Sequence, residues 1–445
     1  MFKRKVYDEL LEWKKHYSDK YAVLLEGARR VGKTTIAEAF AKQEYESYIK
    51  IDFANVGKNI IELFDDISNL DLFFLRLQLE TGIELKERKS VIVFDEIQLF
   101  PKARQAIKYL VKDGRYDYIE TGSLISIKKN VKDIVIPSEE YRISVYPMDL
   151  EEFFWSIGRT DYNVLREMYL LNKPLGDFTN RKLMRDFRIY LAVGGMPQAV
   201  EAYIQKKNFF EIDFIKREII NLYKDDLKKI DSTGRTSLIY ESIPSQLALK
   251  KKRFSLSFAT KKRTTLKEQE LLSELIDSRI VLICYNVKDP SISLSQTKDL
   301  NEYKLYLSDT GLFTTMLFND ESKVYEDIYK KLLSDKLDLN LGYLYENAVA
   351  QMIKAAKREL YYHTWRKQES THSYEVDFII TSHAKIVPLE VKSGSTKYHN
   401  SIDAFSTKYS RNIYQSIVIS SNDVKNEQML LFKPIYFLPF ILEEK

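Results

Sequence analysis

Chemistry is suggested first by Gly27-Ala28-Arg29-Arg30-Val31-Gly32-Lys33-Thr34, which fits the spacing G-x-x-x-x-G-K-[ST] and leads into Thr35-Ile-Ala-Glu-Ala-Phe-Ala41. A loop of this kind aims successive backbone N–H groups at phosphate oxygens, at the positive end of the helix that follows. Gly27 and Gly32 permit a backbone approach that a side chain would block. Lys33 has the reach for β- and γ-phosphates, and Thr34 can place its hydroxyl on magnesium. Ala28, Arg29, Arg30, Val31 and Thr35 complete the backbone of a site for ATP. A glycine-containing turn that binds nothing is the competing reading. The buried-strand run Tyr21-Ala-Val-Leu-Leu25 before the loop and the helical pattern after it oppose that alternative.

Val91-Ile-Val-Phe-Asp-Glu96 ends four apolar residues in two carboxylates, as a central parallel strand must if acid groups are to emerge at its C-terminal edge. There Asp95 would hold magnesium through water, and Glu96 would orient or deprotonate the water that attacks the γ-phosphate. Gln98 is a polar helper. Asp117-Tyr-Ile-Glu-Thr-Gly-Ser123 reads as a further strand whose Thr121 and Ser123 hydroxyls could sense the γ-phosphate. In the strand candidate Tyr141-Arg-Ile-Ser-Val-Tyr-Pro147, Arg142 either stabilises phosphate charge, within the chain or in a neighbouring subunit, or is an ordinary surface arginine.

A second constellation lies near the C-terminus. Glu346 sits in the amphipathic run Gly342-Tyr-Leu-Tyr-Glu-Asn-Ala-Val-Ala-Gln-Met352. Asp377 and Glu390 fall on adjacent strand candidates, Tyr374–Ile380 and Lys385–Lys392, and Glu390 and Lys392, two apart, share a face. Two carboxylates with a nearby lysine make a magnesium site whose ammonium can position an attacking water, as metal-dependent phosphodiester cleavage requires. His363, His372, His383 and His399 lack the spacing of a zinc motif. Lys397 and Lys408 could line a DNA groove or be solvated lysines.

Strands at Tyr48–Phe53 and a helical region from Ile60 to Glu80 complete an α/β pattern around the phosphate loop, behind an opening helix at Tyr7–Trp13. A largely helical stretch begins at Asp149, broken by Pro174 and the turn Val193-Gly-Gly-Met-Pro197. Lys250-Lys-Lys-Arg253 and Lys261-Lys-Arg263 then flank Phe254-Ser-Leu-Ser-Phe258. A helix over Lys267–Asp277 and strands at Arg279–Tyr285 and Tyr303–Leu307 follow, the order of a winged helix-turn-helix. The basic clusters would neutralise DNA phosphates or remain a solvated face.

A chain of 445 residues exceeds one hydrophobic core and predicts several domains. No run of about 18 apolar residues occurs, which argues against a membrane span, and the charged opening argues against an export signal. The single cysteine, Cys284, excludes an intrachain disulfide and fits a reducing cytoplasm. A net charge of +5 does not by itself imply nucleic acid.

Taken in order, Gly-Ala-Arg-Arg-Val-Gly-Lys-Thr, Val-Ile-Val-Phe-Asp-Glu-Ile-Gln, Thr-Gly-Ser and Tyr-Pro-Met-Asp-Leu-Glu-Glu-Phe resemble the prokaryotic AAA-superfamily ATPases that carry a C-terminal domain of unknown function, number 4143. Ala28 stands where that family usually has proline. The resemblance extends through Gly194-Gly-Met-Pro197 and Ser308-Asp-Thr-Gly-Leu312, and implies a helical lid after the nucleotide core. The C-terminal pattern is similar to the PD-(D/E)xK nuclease superfamily, with Glu346, Asp377, Glu390 and Lys392 at the matching positions. The expected architecture is α/β. It comprises a P-loop AAA-type doubly wound parallel sheet (1–155), a helical lid (156–235), a winged helix-turn-helix (236–320) and a restriction-endonuclease-like domain (321–445). The expected activity is magnesium-dependent ATP hydrolysis controlling the C-terminal half. Double-stranded DNA and further copies of the chain are the expected partners. The alternative is a nucleotide switch with an inert DNA- or protein-binding C-terminal module.

Overall fold

Short apolar runs in the first 146 residues become five parallel strands: β1 Ala22–Gly27, β2 Ser47–Asp52, β3 Ser90–Asp95, β4 Asp117–Ser123 and β5 Glu140–Ser144. The computed structural model describes residues 1–123, 137–206, 208–249, 251–261, 265–318, 325–334, 342–367, 372–394, 396–427 and 430–444. Lys250, Lys262 and Arg263 of the expected basic clusters lie outside them. By its internal contacts the chain divides into two compact units, Met1–Tyr146 with Asp277–Arg279, and Pro147–Ile276 with Ile280–Lys445.

In the first unit the strand order is β2-β3-β4-β1-β5, so β4 lies between the strand that enters the phosphate loop and the strand that carries the acid pair. β1, β3 and β4 are buried along their whole length, which is why their sequences are near-continuous apolar runs instead of alternating ones. Partners across a parallel ladder share a face. Lys50, Val93, Ile119 and Val23 therefore lie on one side of the sheet, and Ile51, Phe94, Glu120, Leu24 and Arg142 on the other. Helix Lys33–Glu44 packs on the sheet as the continuation of the phosphate loop. Helices Leu70–Thr81 and Pro101–Asp113 join Leu24, Ile51 and Phe94 in the unit's main apolar core.

The second unit begins with helices, of which Asp177–Val193 and Phe209–Ile230 are the longest, and adds two sheets. Strands β6 Val281–Val287 and β7 Lys298–Leu307 form an antiparallel ribbon. The ribbon does not stand alone, because β6 also pairs in parallel with β8 Leu360–Arg366, which pairs with β9 Ser373–Val376. This four-stranded sheet crosses the expected border at residue 320. Pairing with β8 removes an open edge from β6 that a free ribbon would expose. The second sheet runs β10 Phe378–Ser382, β11 Lys385–Lys392, β12 Ser416–Ser420, β14 Leu430–Pro434 and β13 Lys425–Glu427.

Two motifs with no chemistry of their own meet inside this unit. Asp309 is fully buried and accepts from the backbone N–H of Gly195 at 2.6 Å and of Leu312 at 2.8 Å. A Cβ on Gly195 would stand 2.0 Å from the carbonyl oxygen of Met148, and one on Gly311 would stand 2.3 Å from that of Val193. Gln351 and Tyr190 both donate to the same Met148 carbonyl, at 3.1 and 3.0 Å. Asp149, the next residue, caps helix Leu150–Ser156 reciprocally with Glu152. The Gly-Gly-Met-Pro turn, the Ser-Asp-Thr-Gly-Leu segment and the Met-Asp-Leu-Glu-Glu run are thus parts of one close-packed knot.

The face of the first sheet opposite the phosphate-loop helix holds a buried ion pair. Arg104 donates to both oxygens of Glu140 at 2.7 and 2.8 Å, with each side chain almost wholly buried. Glu120 beside them is fully buried, and neither carboxyl oxygen has a partner among the described residues. Burial, reinforced by the charge of Glu140, pushes its carboxyl well above the usual carboxylate range. The folded protein therefore retains a proton that the unfolded chain releases, and stability falls as pH rises past the ordinary glutamate range. Glu120→Gln should gain stability relative to the parent between about pH 5 and about pH 8, read as a widening gap between their melting midpoints. Arg104→Met, which strands Glu140, should cost roughly 3–5 kcal/mol. A constant gap for Glu120→Gln would mean that Glu120 is ionised when folded.

Candidate functional site

The phosphate loop is built from two left-handed residues, Arg30 at φ 67° and Gly32 at φ 96°, the second capping helix Lys33–Glu44. Such turns direct consecutive N–H groups into one concavity, at the helix's positive end. Gly27 is required for a reason other than ligand approach: a Cβ there would lie 2.2 Å from the carbonyl oxygen of Val145. Lys33 is buried and its ammonium curls back onto the loop, donating to the carbonyls of Ala28 at 2.8 Å and Gly27 at 3.1 Å. Burial pushes its pKa down to about 8 against the opposing pull of Glu96 and Asp95. Ser123, opposite Gly27 in the ladder, has a buried hydroxyl without a partner among the described residues.

Asp95 is the hub of the site. Its Oδ1 accepts from the Thr34 hydroxyl at 2.7 Å and from the Thr121 hydroxyl, and its Oδ2 lies 3.2 Å from the ammonium of Lys50. Thr121 also receives the backbone N–H of Glu96 at 3.3 Å. Glu96 adopts φ 54°, a left-handed conformation that non-glycine residues seldom hold without a structural demand, and Gln98 donates to its carboxylate. Thr34, Asp95, Glu96, Gln98 and Thr121 are therefore brought together. A hydroxyl beside a carboxylate is an oxygen donor set that suits a hard divalent cation.

Arg142 is not part of this group. It lies two residues before the end of β5 in the row of Leu24 and Glu120, so strand alternation turns it to the other face of the sheet. It is half exposed there and pairs with Glu140 at 3.3 Å.

Lys50 is the residue that sequence reasoning overlooks. In the sequence it is the polar member of an alternating strand. Its ammonium also bonds Glu38 on the phosphate-loop helix. Burial works to lower its pKa, but the hydrogen bond to Glu38 and the charge of Asp95 outweigh that, and the net shift is upward.

In the second unit the four predicted C-terminal residues also converge. Asp377 sits at the kink between β9 and β10 and accepts the backbone N–H of Val391 at 2.8 Å. Lys392 donates to Glu390 at 2.7 Å. Lys304 of β7 lies 2.6 Å from Glu375 and 3.7 Å from Glu346, and the Tyr306 hydroxyl donates to Glu346 at 3.1 Å. Burial, with Glu390 and Glu346 nearby, raises the Asp377 carboxyl well above its usual range, and burial raises that of Glu390 as well. Lys304, Tyr306 and Glu375 are the members missed from sequence. Their signal was the alternation of β7, and Glu375 standing two residues before Asp377. Among the described residues no group of three or more His, Cys, Asp or Glu side chains is arranged to hold a metal ion. No helix among them is long and apolar enough to cross a membrane.

Residues 19–154 match an AAA domain, residues 184–323 a domain of unknown function (DUF8612), and residues 341–436 a domain of unknown function (DUF4143). The middle match runs unbroken from the Gly-Gly-Met-Pro turn region through the β6–β7 ribbon. No curated protein matches the sequence. Among solved structures, the Walker-type ATPase paby2304 of Pyrococcus abyssi is similar at 18% identity over 71% of this chain and 96% of that one, with a TM-score of 0.41. The RuvB Holliday junction branch migration motor of Thermotoga maritima is similar at 12% identity over 65% of this chain and 90% of that one, with a TM-score of 0.29. The first and last domain matches place the chain among the prokaryotic AAA-superfamily ATPases that carry the C-terminal domain of unknown function 4143.

Proposed function

We propose that the first unit binds and hydrolyses ATP with magnesium, and that its nucleotide state controls a C-terminal half acting on double-stranded DNA. The observation that carries the nucleotide chemistry is the meeting of Thr34 and Thr121 on one oxygen of Asp95, beside a buried Lys33. The loop from Gly27 to Thr35 cradles the phosphates, and Lys33 exchanges its two carbonyl partners for phosphate oxygens. Ser123 offers a hydroxyl with no competing partner among the described residues. Glu96, held at the sheet edge by its left-handed backbone and by Gln98, orients and deprotonates the attacking water. Thr121 bonds both Asp95 and the Glu96 N–H, so it ties the position of the base to that of the metal ligand. Magnesium, held by Thr34 and Asp95, would supply charge stabilisation on the phosphates.

With Arg142 on the far face of the sheet, an arginine acting on the γ-phosphate would come from another copy of the chain, and assembly would then complete the site. The reduced Cys284, the single cysteine, is consistent with a cytoplasmic protein. In the C-terminal half the β6–β7 ribbon with its preceding helices acts as a winged helix-turn-helix. Asp377, Glu390, Glu346 and Lys392 act as a nuclease-like site.

A second reading is favoured by one observation in that half. Lys304 and Lys392 each already pair with the carboxylates, so the cluster is neutralised from within. A module of this kind binds DNA or protein without cleaving it.

Phosphate release by the purified protein with magnesium should fall at least about a hundredfold in Glu96→Gln and in Lys33→Ala. Turnover unchanged in either variant would remove the assignment. Stimulation by double-stranded DNA would favour the DNA-coupled reading, and indifference a protein partner. Calorimetric titration of manganese into the nucleotide-free protein separates the two C-terminal readings. Binding lost in Asp377→Asn but kept in Asp95→Asn supports the nuclease-like site, and no binding at that site supports the inert module.

The Lys33 shift gives a pH prediction. A bound phosphate raises the lysine's pKa, so nucleotide affinity is full below about 8 and declines as pH rises past it. The dissociation constant of ADP should therefore increase by up to about tenfold per pH unit above that value. A flat profile to about pH 9.5 would mean that Lys33 does not meet the phosphates.

A further inference from the structure

Lys50 has a geometry that the ATPase reading leaves unused. Its strand, β2, is the edge of the sheet, and Lys50 pairs with Val93 two residues before Asp95 on the face that carries the site. The side chain climbs along the sheet to bring Nζ within 3.2 Å of Asp95 Oδ2, the oxygen that Thr34 and Thr121 leave open. A cation therefore already sits on the carboxylate that should receive the metal.

The ammonium has a second anchor. Glu38 projects from the phosphate-loop helix, one turn after Thr34, and bonds the same Nζ, with Lys42 a further 4.0 Å neighbour of that carboxylate. Both Lys50 and Glu38 are partly open to solvent, with 25% and 31% of the side chain exposed. Lys50 can thus release Asp95 while keeping one ion pair and regaining water, so the movement leaves no buried charge unpaired.

We propose that Lys50 is an exchangeable counter-ion for the metal-ligating carboxylate. It holds Asp95 oriented and neutralised when no metal is bound, gives it up to magnesium by withdrawing onto Glu38, and so sets the magnesium concentration at which nucleotide is retained. The inference rests on Asp95 as the magnesium ligand. It adds that two cations, one belonging to the chain, compete for a single oxygen. Removing the internal competitor should strengthen metal binding. Removing its refuge should weaken it, because Lys50 would then have Asp95 as its remaining carboxylate.

The test is magnesium chloride titrated against a fluorescent ADP analogue bound to the full chain, with retention of the analogue as the readout and no turnover required. Lys50→Met should lower the half-saturating magnesium concentration by about fivefold or more, the lower end of ordinary coupling between two ligands of one site. Glu38→Gln should raise it, and Lys50→Arg, which keeps the charge, should stay near the parent. An unchanged or higher requirement in Lys50→Met overturns the proposal. Asp95→Asn separates this failure from that of the underlying reading. If magnesium dependence survives Asp95→Asn, Asp95 is not the ligand and the proposal falls with it. If it is lost there yet unaffected by Lys50→Met, only the counter-ion role fails.

Discussion

The first unit depends on what one carboxylate does at the C-terminal edge of its sheet. Asp95 takes hydroxyls from the helix after the phosphate loop and from the neighbouring strand, and an ammonium from the edge strand. Three elements far apart in sequence are held in register by this side chain. The parallel order β2-β3-β4-β1-β5 makes that possible. With β4 between the loop strand and the acid strand, Thr121 stands on the same face as Asp95 and within reach of both its carboxylate and the Glu96 N–H. The left-handed backbone of Glu96 then turns the next carboxylate out of the strand. Strain of this kind persists only when the surroundings over-determine it, and the Thr121 and Gln98 bonds do so here.

The second unit depends on close backbone approach. Gly194, Gly195 and Gly311 stand where any Cβ would meet another chain segment at 2.0–2.4 Å. The buried Asp309 carboxylate spans the gap by accepting from N–H groups on both sides. A buried carboxylate costs desolvation, and burial does raise its pKa. Backbone donors from Leu312 and Gly195 and the Lys216 charge oppose that rise. The segments that look like motifs because their residue types are unusual are in this case structural. Their glycines are set by packing and their aspartate by the orphan N–H groups it satisfies.

Much of this was legible in the sequence where the signal is local. Strands buried on both faces announce themselves as continuous apolar runs, and the phosphate loop and acid pair have fixed spacing, so the nucleotide core could be laid out before any coordinates. What was not legible depends on register. Arg142 could be either a phosphate ligand or a surface arginine until its row is known, and one residue's difference in register decides the face of the sheet on which it lies. Lys50 looks like an ordinary strand lysine until β2 is placed beside β3. The parallel pairing of β6 with β8 joins residues some 76 apart, Cys284 with Leu360, and no hydrophobic pattern records which strands will meet. The pairing across residue 320 was not legible for that reason.

Both units pair their acid clusters with lysines, and burial makes the two pairings differ. Lys50 keeps a quarter of its side chain in water and has Glu38 to withdraw to, so its bond to Asp95 can open at little cost. Lys304 is only 5% exposed, lies between Glu346 and Glu375, and has the ring of Tyr362 5.2 Å from its ammonium. Displacing it would leave an ammonium in a low-dielectric surrounding without its carboxylates, a penalty of several kcal/mol before any metal contact forms. The same residue type therefore does opposite work in the two places. Beside the phosphate loop, lysine leaves the carboxylate available. In the C-terminal sheet, it is buried between the two carboxylates it pairs with.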